Sequence, residues 1–481
     1  MKLSLQKQSF SAIIWTVIDT FLLKGLTFIA SVILARLLGP EEFGLIGMVS
    51  IFIAIGISLV DSGLSASLIR TEDANDSDYS TVFYLNILIS LLVYIVIYFC
   101  APYIAKFYGY TILTDIIRLY CFSFIISAFS AVQIAQLNKK MQFRKIMFIN
   151  IPGTIIGVIT GVTLGYFGYG VWSIVWMYIS TQIIQSLLLW TFSRWKPTNK
   201  FSIIKVKQHF GFGYKLMLSG LLNTIFSNIY DIIIGKFYAV KSLGYFERAR
   251  TLNEYPVTIL TGVISKVSYP LLAQILGEKD RISEIYKQIL QFSFFITVPL
   301  MLGAAAIANP LFELILGKIW LPSVPYFQII CLASIFYPVN AFNINILKLY
   351  GRSDLFLKLE VLKKIVVVIS ILFAFPYGII GLIWSNVIVS FLALIINMYY
   401  SSDMINYKTS KQLLDMIPTI LSGIIVFLIM LGLVFLLKSY SLYFQISIPI
   451  ITGVILYISI NLVLKTIPML FVLKTIKKIK I

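Results

Sequence analysis

The sequence has few of the residues that usually build metal and catalytic centres. It contains three cysteines and one histidine in 481 residues. Cys100, Cys121 and Cys331 lie inside apolar runs without the short spacing of metal ligands, so we expect them to be small core residues. His209 stands at the edge of an apolar run, which favours a membrane-edge residue over a ligand or a base.

The sequence also lacks a nucleotide-binding loop. No G-x-x-x-x-G-K-[ST] segment is present, so hydrolysis of ATP by this chain is not expected. No catalytic constellation is recognisable, and we predict neither an enzyme nor a cofactor. Work, if any is done, would come from an ion gradient or from downstream consumption of the substrate.

Charged residues are scarce and mostly of one sign. Only 12% of the residues are charged, whereas 59% are hydrophobic, and the mean hydropathy is +0.93. No soluble domain of this size has that composition, so the chain is predicted to be a polytopic membrane protein surrounded by lipid. The net charge of +19 could indicate nucleic acid or basic cytoplasmic loops, and the apolar runs between the charges favour the loops.

Apolar runs long enough to cross about 30 Å of hydrocarbon recur along the whole chain. They predict an all-α protein with about fourteen transmembrane helices. Most lysines and arginines fall in alternate loops, which predicts cytoplasmic termini. The predicted divisions are an N-terminal six-helix lobe (1–193), a basic cytoplasmic linker (194–207), a C-terminal six-helix lobe (208–402) and two extra helices with a basic tail (403–481).

An internal repeat of low identity supports this division, and chance alignment of apolar residues is the alternative. A shift of 200 residues places Gly44 on Gly244. The same shift carries a polar set in the first span onto the seventh. An even number of spans per copy predicts two lobes related by an axis along the membrane normal, with a cavity between them. The polar set is Thr20, Lys24, Thr27 and Ser31, and its repeat positions are Gly220, Thr224, Ser227 and Asp231.

Two spans carry a polar stripe along one helical face. In the first span the stripe includes Lys24, and a charge at bilayer depth is costly, so Lys24 should face a watery cavity or a partner. The alternatives are that Lys24 snorkels or pairs with Asp19. The stripe of the eighth span could line water or could join helices as polar glue. It consists of Arg250, Glu254, Thr258, Thr261, Ser265 and Ser268.

Glycines recur every four residues along the fifth span. They remove side chains from one ridge of that helix, which lets a neighbouring helix approach closely. We therefore predict a packing role for Gly153, Gly157, Gly161 and Gly165. The acidic loop TEDANDSD (Thr71–Asp78) is expected to be a solvated connection.

Three short motifs resemble those of bacterial polysaccharide flippases of the Wzx/PST type. They are ARLLGPEEFGL (Ala35–Leu45), DSGLSASLIR (Asp61–Arg70) and LNKKMQFRK (Leu137–Lys145). These flippases belong to the multidrug/oligosaccharidyl-lipid/polysaccharide exporter superfamily. The resemblance implies two six-helix lobes in a V, two further C-terminal helices and alternating access to the two sides of the membrane.

The resemblance also implies a substrate and a cellular role. The expected activity is translocation of an undecaprenyl-pyrophosphate-linked oligosaccharide from the cytoplasmic to the outer leaflet of the bacterial inner membrane. The product would serve synthesis of lipopolysaccharide O-antigen, capsule or exopolysaccharide. The implied partners are the lipid-linked oligosaccharide, a polysaccharide polymerase and glycosyltransferases.

The expected substrate site combines cations with neutral polar groups. Lys24 and Arg250 would meet the pyrophosphate, and the sugar would meet hydroxyl and amide side chains. A drug/cation antiporter of the same superfamily remains the alternative, because three carboxylates could couple ions; a membrane scaffold is a further one. The sugar-contacting candidates are Thr27, Ser31, Asn223, Ser227, Thr258 and Thr261, and the ion-coupling candidates are Asp61, Asp231 and Glu254.

Overall fold

The computed structural model describes the backbone of residues 2–61, 63–193, 195–275 and 277–479. Within those ranges it describes the side chains except at 2–14, 61, 263, 265–267, 269, 270, 279, 348, 353, 472 and 475–479.

Helices make up all of the regular structure in these ranges. The first eleven are α1 (Lys2–Leu37), α2 (Pro40–Asp61), α3 (Leu64–Arg70), α4 (Asp76–Tyr108), α5 (Leu113–Cys121), α6 (Ser123–Lys139), α7 (Phe143–Tyr166), α8 (Trp172–Phe192), α9 (Ile203–Ser227), α10 (Ile229–Phe237) and α11 (Val240–Ala273). The rest are α12 (Lys279–Ala306), α13 (Ala308–Ile315), α14 (Val324–Ser334), α15 (Tyr337–Leu349), α16 (Ser353–Ala374), α17 (Gly378–Ile405), α18 (Thr409–Leu436), α19 (Leu442–Val463) and α20 (Ile467–Ile479). The all-α prediction is confirmed.

Eleven segments in the described ranges are long and apolar enough to cross a membrane, or twelve if the bent pair α9–α10 is one span. One of the eleven, residues 354–405, contains both α16 and α17, which pack against each other. The chain is thus a multi-pass membrane protein. The predicted number of fourteen spans is not confirmed.

The chain divides into two compact units, Met1–Gly244 and Tyr245–Ile481. In the first unit, α7 packs against both α1 and α8, and α9 packs against α2, α3 and α4. In the second unit, α12 packs against α14 and α18, and α18 packs against α19. The predicted division into two six-helix lobes, a linker and two extra helices stays a prediction.

The glycine ridge of α7 is a packing surface, as predicted. A Cβ atom added to Gly157 would lie 1.9 Å from the Thr181 hydroxyl and 2.7 Å from the Met177 carbonyl oxygen, both on α8. One added to Gly165 would lie 3.1 Å from a methyl group of Leu34 on α1. Any side chain along this ridge would therefore push α7 away from its neighbours.

Two glycines that the repeat aligns also approach each other. A Cβ atom on Gly44 would lie 2.0 Å from the Val240 carbonyl oxygen, and one on Gly244 would lie 1.8 Å from the Pro40 carbonyl oxygen. The starts of α2 and α11 therefore meet backbone to backbone. An exposed ion pair between Lys241 and Glu41, 3.1 Å long, lies in the same region.

The cysteine prediction is partly wrong. Cys121 and Cys331 are buried, but Cys100 is exposed. It lies on α4, on which several neighbouring apolar residues are also exposed. An apolar run in a membrane helix does not separate core positions from lipid-facing ones, because both are apolar.

Candidate substrate site

The polar stripe of α1 forms as predicted, with Lys24 and Ser31 half-buried and Thr27 exposed. The Thr20 hydroxyl donates to the Thr16 carbonyl oxygen at 2.7 Å, and the Thr27 hydroxyl donates to the Leu23 carbonyl oxygen at 2.8 Å. Both threonines thus satisfy their own donor within the helix and keep oxygen lone pairs available as acceptors.

Asp19, one turn before Lys24, is held by α7. The Asn150 amide nitrogen donates to Asp19 Oδ2 at 3.5 Å. Asn150 lies on the helix that carries the glycine ridge, so this bond adds a polar contact to the α1–α7 interface.

The repeat-equivalent stripe on α9 and α10 is interrupted by a 44° bend between Ser227 and Ile229. Asn223 and Ser227 are exposed, and the Ser227 hydroxyl donates to the Asn223 carbonyl oxygen at 2.8 Å. Asp231 follows the bend in the first turn of α10 and is fully buried. Asp61 ends α2, and its side chain lies outside the described residues.

The stripe of α11 lies in the second unit and begins with a charged group of three residues. Arg250 is 2.8 Å from Glu247 Oε1 and 3.7 Å from Glu254 Oε1. Two carboxylates therefore flank this guanidinium, and an anionic substrate would compete with them for it.

Farther along α11 the stripe contains hydroxyl groups. The exposed Thr258 donates to the Tyr255 carbonyl oxygen at 3.2 Å. The Thr261 hydroxyl is buried and has no hydrogen-bond partner among the residues described. Ser268 is buried, and the side chain of Ser265 lies outside the described part.

The structure thus groups the predicted site residues on separate units. Direct contacts join two of the pairs, Ser227 with Asn223 and Arg250 with Glu254. The first unit holds Lys24, Thr27, Ser31, Asn223, Ser227 and Asp231, and the second holds Arg250, Glu254, Thr258 and Thr261.

The sequence did not predict the burial of His209. This residue is fully buried in the first unit, where Nδ1 lies 2.8 Å from Ser67 Oγ and Nε2 lies 3.0 Å from Asp78 Oδ1. Lys205, one turn earlier on α9, contacts the same oxygen of Asp78 at 2.8 Å. We call these four residues the His209 cluster.

The acidic loop that we expected to be solvated contributes Asp78 to this cluster. Asn75 and Asp78 form a capping box at the start of α4, in which the Asn75 N–H donates to Asp78 Oδ2 at 3.0 Å. Asp78 is fully buried. The sequence held a partial signal for the cap, because Asn75 is a favoured N-cap residue and an acidic residue follows it three positions later.

The order serine, histidine and aspartate in this cluster matches the hydrogen-bond order of a hydrolase triad. The burial argues against that chemistry, because Ser67 is only 6% exposed and His209 and Asp78 are not exposed at all. A substrate could not reach the hydroxyl in this arrangement. In the described part of the chain, no group of three or more histidine, cysteine or acidic residues could hold a metal ion.

The sequence is similar to those of proteins of polysaccharide biosynthesis. The chain is 24% identical over 360 residues to the teichuronic acid biosynthesis protein TuaB of Bacillus subtilis, covering 73% of both chains. It is 22% identical over 363 residues to the lipopolysaccharide biosynthesis protein WzxC of Escherichia coli, covering 75% of this chain and 74% of that one.

The fold matches a solved membrane transporter along nearly its whole length. The lipid II flippase MurJ, in an inward closed conformation, superposes with a TM-score of 0.74 over 94% of this chain and 98% of that one, at 18% identity. The family described as "Polysaccharide biosynthesis protein" matches residues 33–325, more than half of the chain. The protein therefore belongs to this polysaccharide biosynthesis family.

Proposed function

We propose that this protein is a flippase that moves a lipid-linked oligosaccharide across the membrane by alternating access, for synthesis of a surface polysaccharide. The observation that carries the proposal is the match of the fold, over nearly the whole chain, to the lipid II flippase MurJ. The family match and the two relatives named for polysaccharide biosynthesis support the same class of substrate.

The chemistry of such a substrate fits the polar stripes. An undecaprenyl-pyrophosphate-linked oligosaccharide carries an anionic pyrophosphate, a hydroxyl-rich head and a lipid tail that can remain in the bilayer. In the proposal Lys24 attracts the pyrophosphate, while Thr27, Ser31, Asn223, Ser227, Thr258 and Thr261 bond the sugar. Arg250 binds Glu247 and Glu254 in the structure. It becomes a second phosphate ligand only when the substrate replaces one of these two carboxylates.

The proposed movement involves the two predicted six-helix lobes, 1–193 and 208–402, joined by the linker 194–207. The protein itself makes or breaks no covalent bond in the substrate in this proposal. Asp61, Asp231 and Glu254 are the candidates for ion coupling. Polymerase and glycosyltransferases would act on the same substrate before and after its transfer.

The proposed location is the bacterial inner membrane, with both termini in the cytoplasm. Reporter tags at Asn199 and at the C-terminus should then report cytoplasm, and a tag at Lys241 should report the outside. A tag at Asn199 that reported the outside would contradict this orientation.

Deletion of the gene in its own host tests the proposed function. Lipid-linked oligosaccharide should accumulate in the cytoplasmic leaflet, and surface polysaccharide should disappear while the early glycosyltransferase steps continue. Wild-type protein supplied in trans should reverse both effects. Normal surface polysaccharide together with increased drug sensitivity would instead favour the drug antiporter.

A further inference from the structure

The His209 cluster lies where α9 meets α3 and α4, at the end of the segment that joins α8 to α9. Ser67 belongs to α3, Asp78 to α4, and Lys205 and His209 to α9. Neighbouring bonds tie the joining segment to the start of α4: the Thr198 N–H donates to Ser80 Oγ at 2.9 Å, and the Ser202 N–H donates to Thr81 Oγ1 at 3.1 Å. The first turns of α9 are therefore held by these polar contacts together with the apolar packing of Val206 against α3 and α4.

A neutral imidazole satisfies every bond in this arrangement. The ring Nε2–H then donates to Asp78 Oδ1, and Nδ1 accepts from the Ser67 hydroxyl. The carboxylate charge of Asp78 is already balanced by Lys205, 2.8 Å away. With a neutral His209 the buried cluster thus carries no net charge.

A proton added to the ring removes that balance. Nδ1 becomes a donor, so the Ser67 hydroxyl must turn away, and the ring competes with Lys205 for one oxygen of Asp78. The cluster then carries a net positive charge where His209 and Asp78 have no exposed surface, which is unfavourable.

The other charged groups on the helices that pack here do not restore the balance. Arg70 on α3 stacks over the Phe212 ring with 4.7 Å between its guanidinium carbon and the ring centroid. Lys207 on α9 adds a cation and Asp76 on α4 an exposed anion. On α2, the side chain of Asp61 is outside the described residues.

We propose that His209, Asp78 and Ser67 form a proton-binding site, and that a bound proton releases the first turns of α9 from α3 and α4. Releasing Lys205 or exposing the ring to water would let the added charge be hydrated. The joining segment 195–202, which we expect to face the cytoplasm, would be loosened with α9. The proposal concerns the first unit alone and holds whatever the substrate is.

The chain contains a single histidine, which makes the test unambiguous. Protein with isotope-labelled histidine, purified on a histidine-free tag, should give one imidazole signal in NMR. We expect the neutral Nε2–H tautomer at pH 8 and a doubly protonated ring at pH 5.5. A ring that stays neutral throughout this range would overturn the proposal.

Spin labels test the movement. Labels at Glu72 and Ile204, in a background where Cys100, Cys121 and Cys331 are replaced by alanine, should show mainly a short distance at pH 8. A longer distance should become the major population at pH 5.5. A control pair at Ile159 and Leu187, on α7 and α8, should not change.

A variant that cannot take up the proton completes the test. His209→Gln keeps a neutral amide, so its Glu72–Ile204 distance should be short at both pH values; His209→Asn serves if that variant does not fold. A distance in the parent protein that does not respond to pH, or a response that persists without the histidine, would overturn the proposal. None of these measurements depends on transport, so the proposed function could fail or stand separately.

Discussion

The repeat gives α1 and α9 equivalent places in the sequence, yet the first unit holds them by different chemistry. α1 packs on the glycine ridge of α7, where Gly165 contacts Leu34 and the Asn150–Asp19 bond is the polar addition. α9 is held through the His209 cluster. The free energy of close apolar packing does not depend on pH. The free energy of a buried polar cluster changes when one of its groups gains or loses a proton. α1 is thus anchored mainly by apolar packing, whereas the anchor of α9 includes a cluster that can take up a proton.

The two helices also differ in continuity. Hydroxyls in both donate to carbonyl oxygens four residues earlier, and α1 nevertheless runs unbroken. In the second copy the Asn228 side chain donates to the Thr224 carbonyl oxygen at 2.7 Å, while the Asn228 N–H is shared between two carbonyls at 3.3 Å each. The side chain competes with the backbone for the same acceptor, and the helix bends there.

The largest expected effect concerns Lys24 in the polar stripe of α1. Lys24→Ala should abolish surface polysaccharide at normal protein abundance, because the stripe of α1 loses its only cation. Lys24→Arg should keep part of the export, since the charge remains but its shape changes. Export of glycan and membrane abundance are measured together, with the exposed Lys106→Ala as the control.

Lys24 could instead balance a carboxylate. In that case Lys24→Ala should lower abundance, since breaking a buried pair costs about 3–5 kcal/mol. A second change, Asp19→Asn or Asp231→Asn, should then restore it. Wild-type export from well-expressed Lys24→Ala would remove α1 from the substrate site.

The second effect concerns the anchor of α9. Asp78→Ala leaves the buried His209 without its acceptor, which costs about 1–3 kcal/mol, and it also removes the Asp78 half of the capping box. Thermal unfolding in detergent should therefore begin at a lower temperature than in the parent. Asp76→Ala, an exposed acid on the same helical turn, is the control and should change little. Equal effects of the two changes would show that the cluster does not anchor α9.

The third effect concerns the anchor of α1. Gly165→Leu should destabilise the first unit by about 1–3 kcal/mol, because the added side chain meets Leu34 and Leu37 of α1. Gly25→Leu is the matched control, since no atom lies within 4 Å of a Cβ at that position. This loss should be the same at pH 5.5 and pH 8. A loss of stability that changed with pH would contradict the view that the α1 contact is independent of pH.

The smallest effect is expected where the starts of α2 and α11 meet. Lys241 and Glu41 are more than half exposed, so a double-mutant cycle on this pair should give about 0.2–1 kcal/mol, decreasing with salt.

Cysteines at positions 41 and 241 should crosslink in one transport state only, if the predicted lobes rock. Equal crosslinking with and without substrate would contradict rocking at this point.

The sequence by itself determined features that depend on local spacing. Apolar runs predict the helices, because each must satisfy its backbone within the membrane. The four-residue glycine period predicts the α7 ridge, because residues four apart share one face. The spacing of Arg250 and Glu254 likewise already allowed the ion pair that the structure contains.

Only the tertiary structure decided which polar groups are buried together. His209 and Asp78 are 131 positions apart, and His209 and Ser67 are 142 apart. No periodicity links them, so the sequence places His209 at a membrane edge and Asp78 in water. Their hydrogen bonds exist because α9 packs on α3 and α4, and that packing is a property of the folded unit.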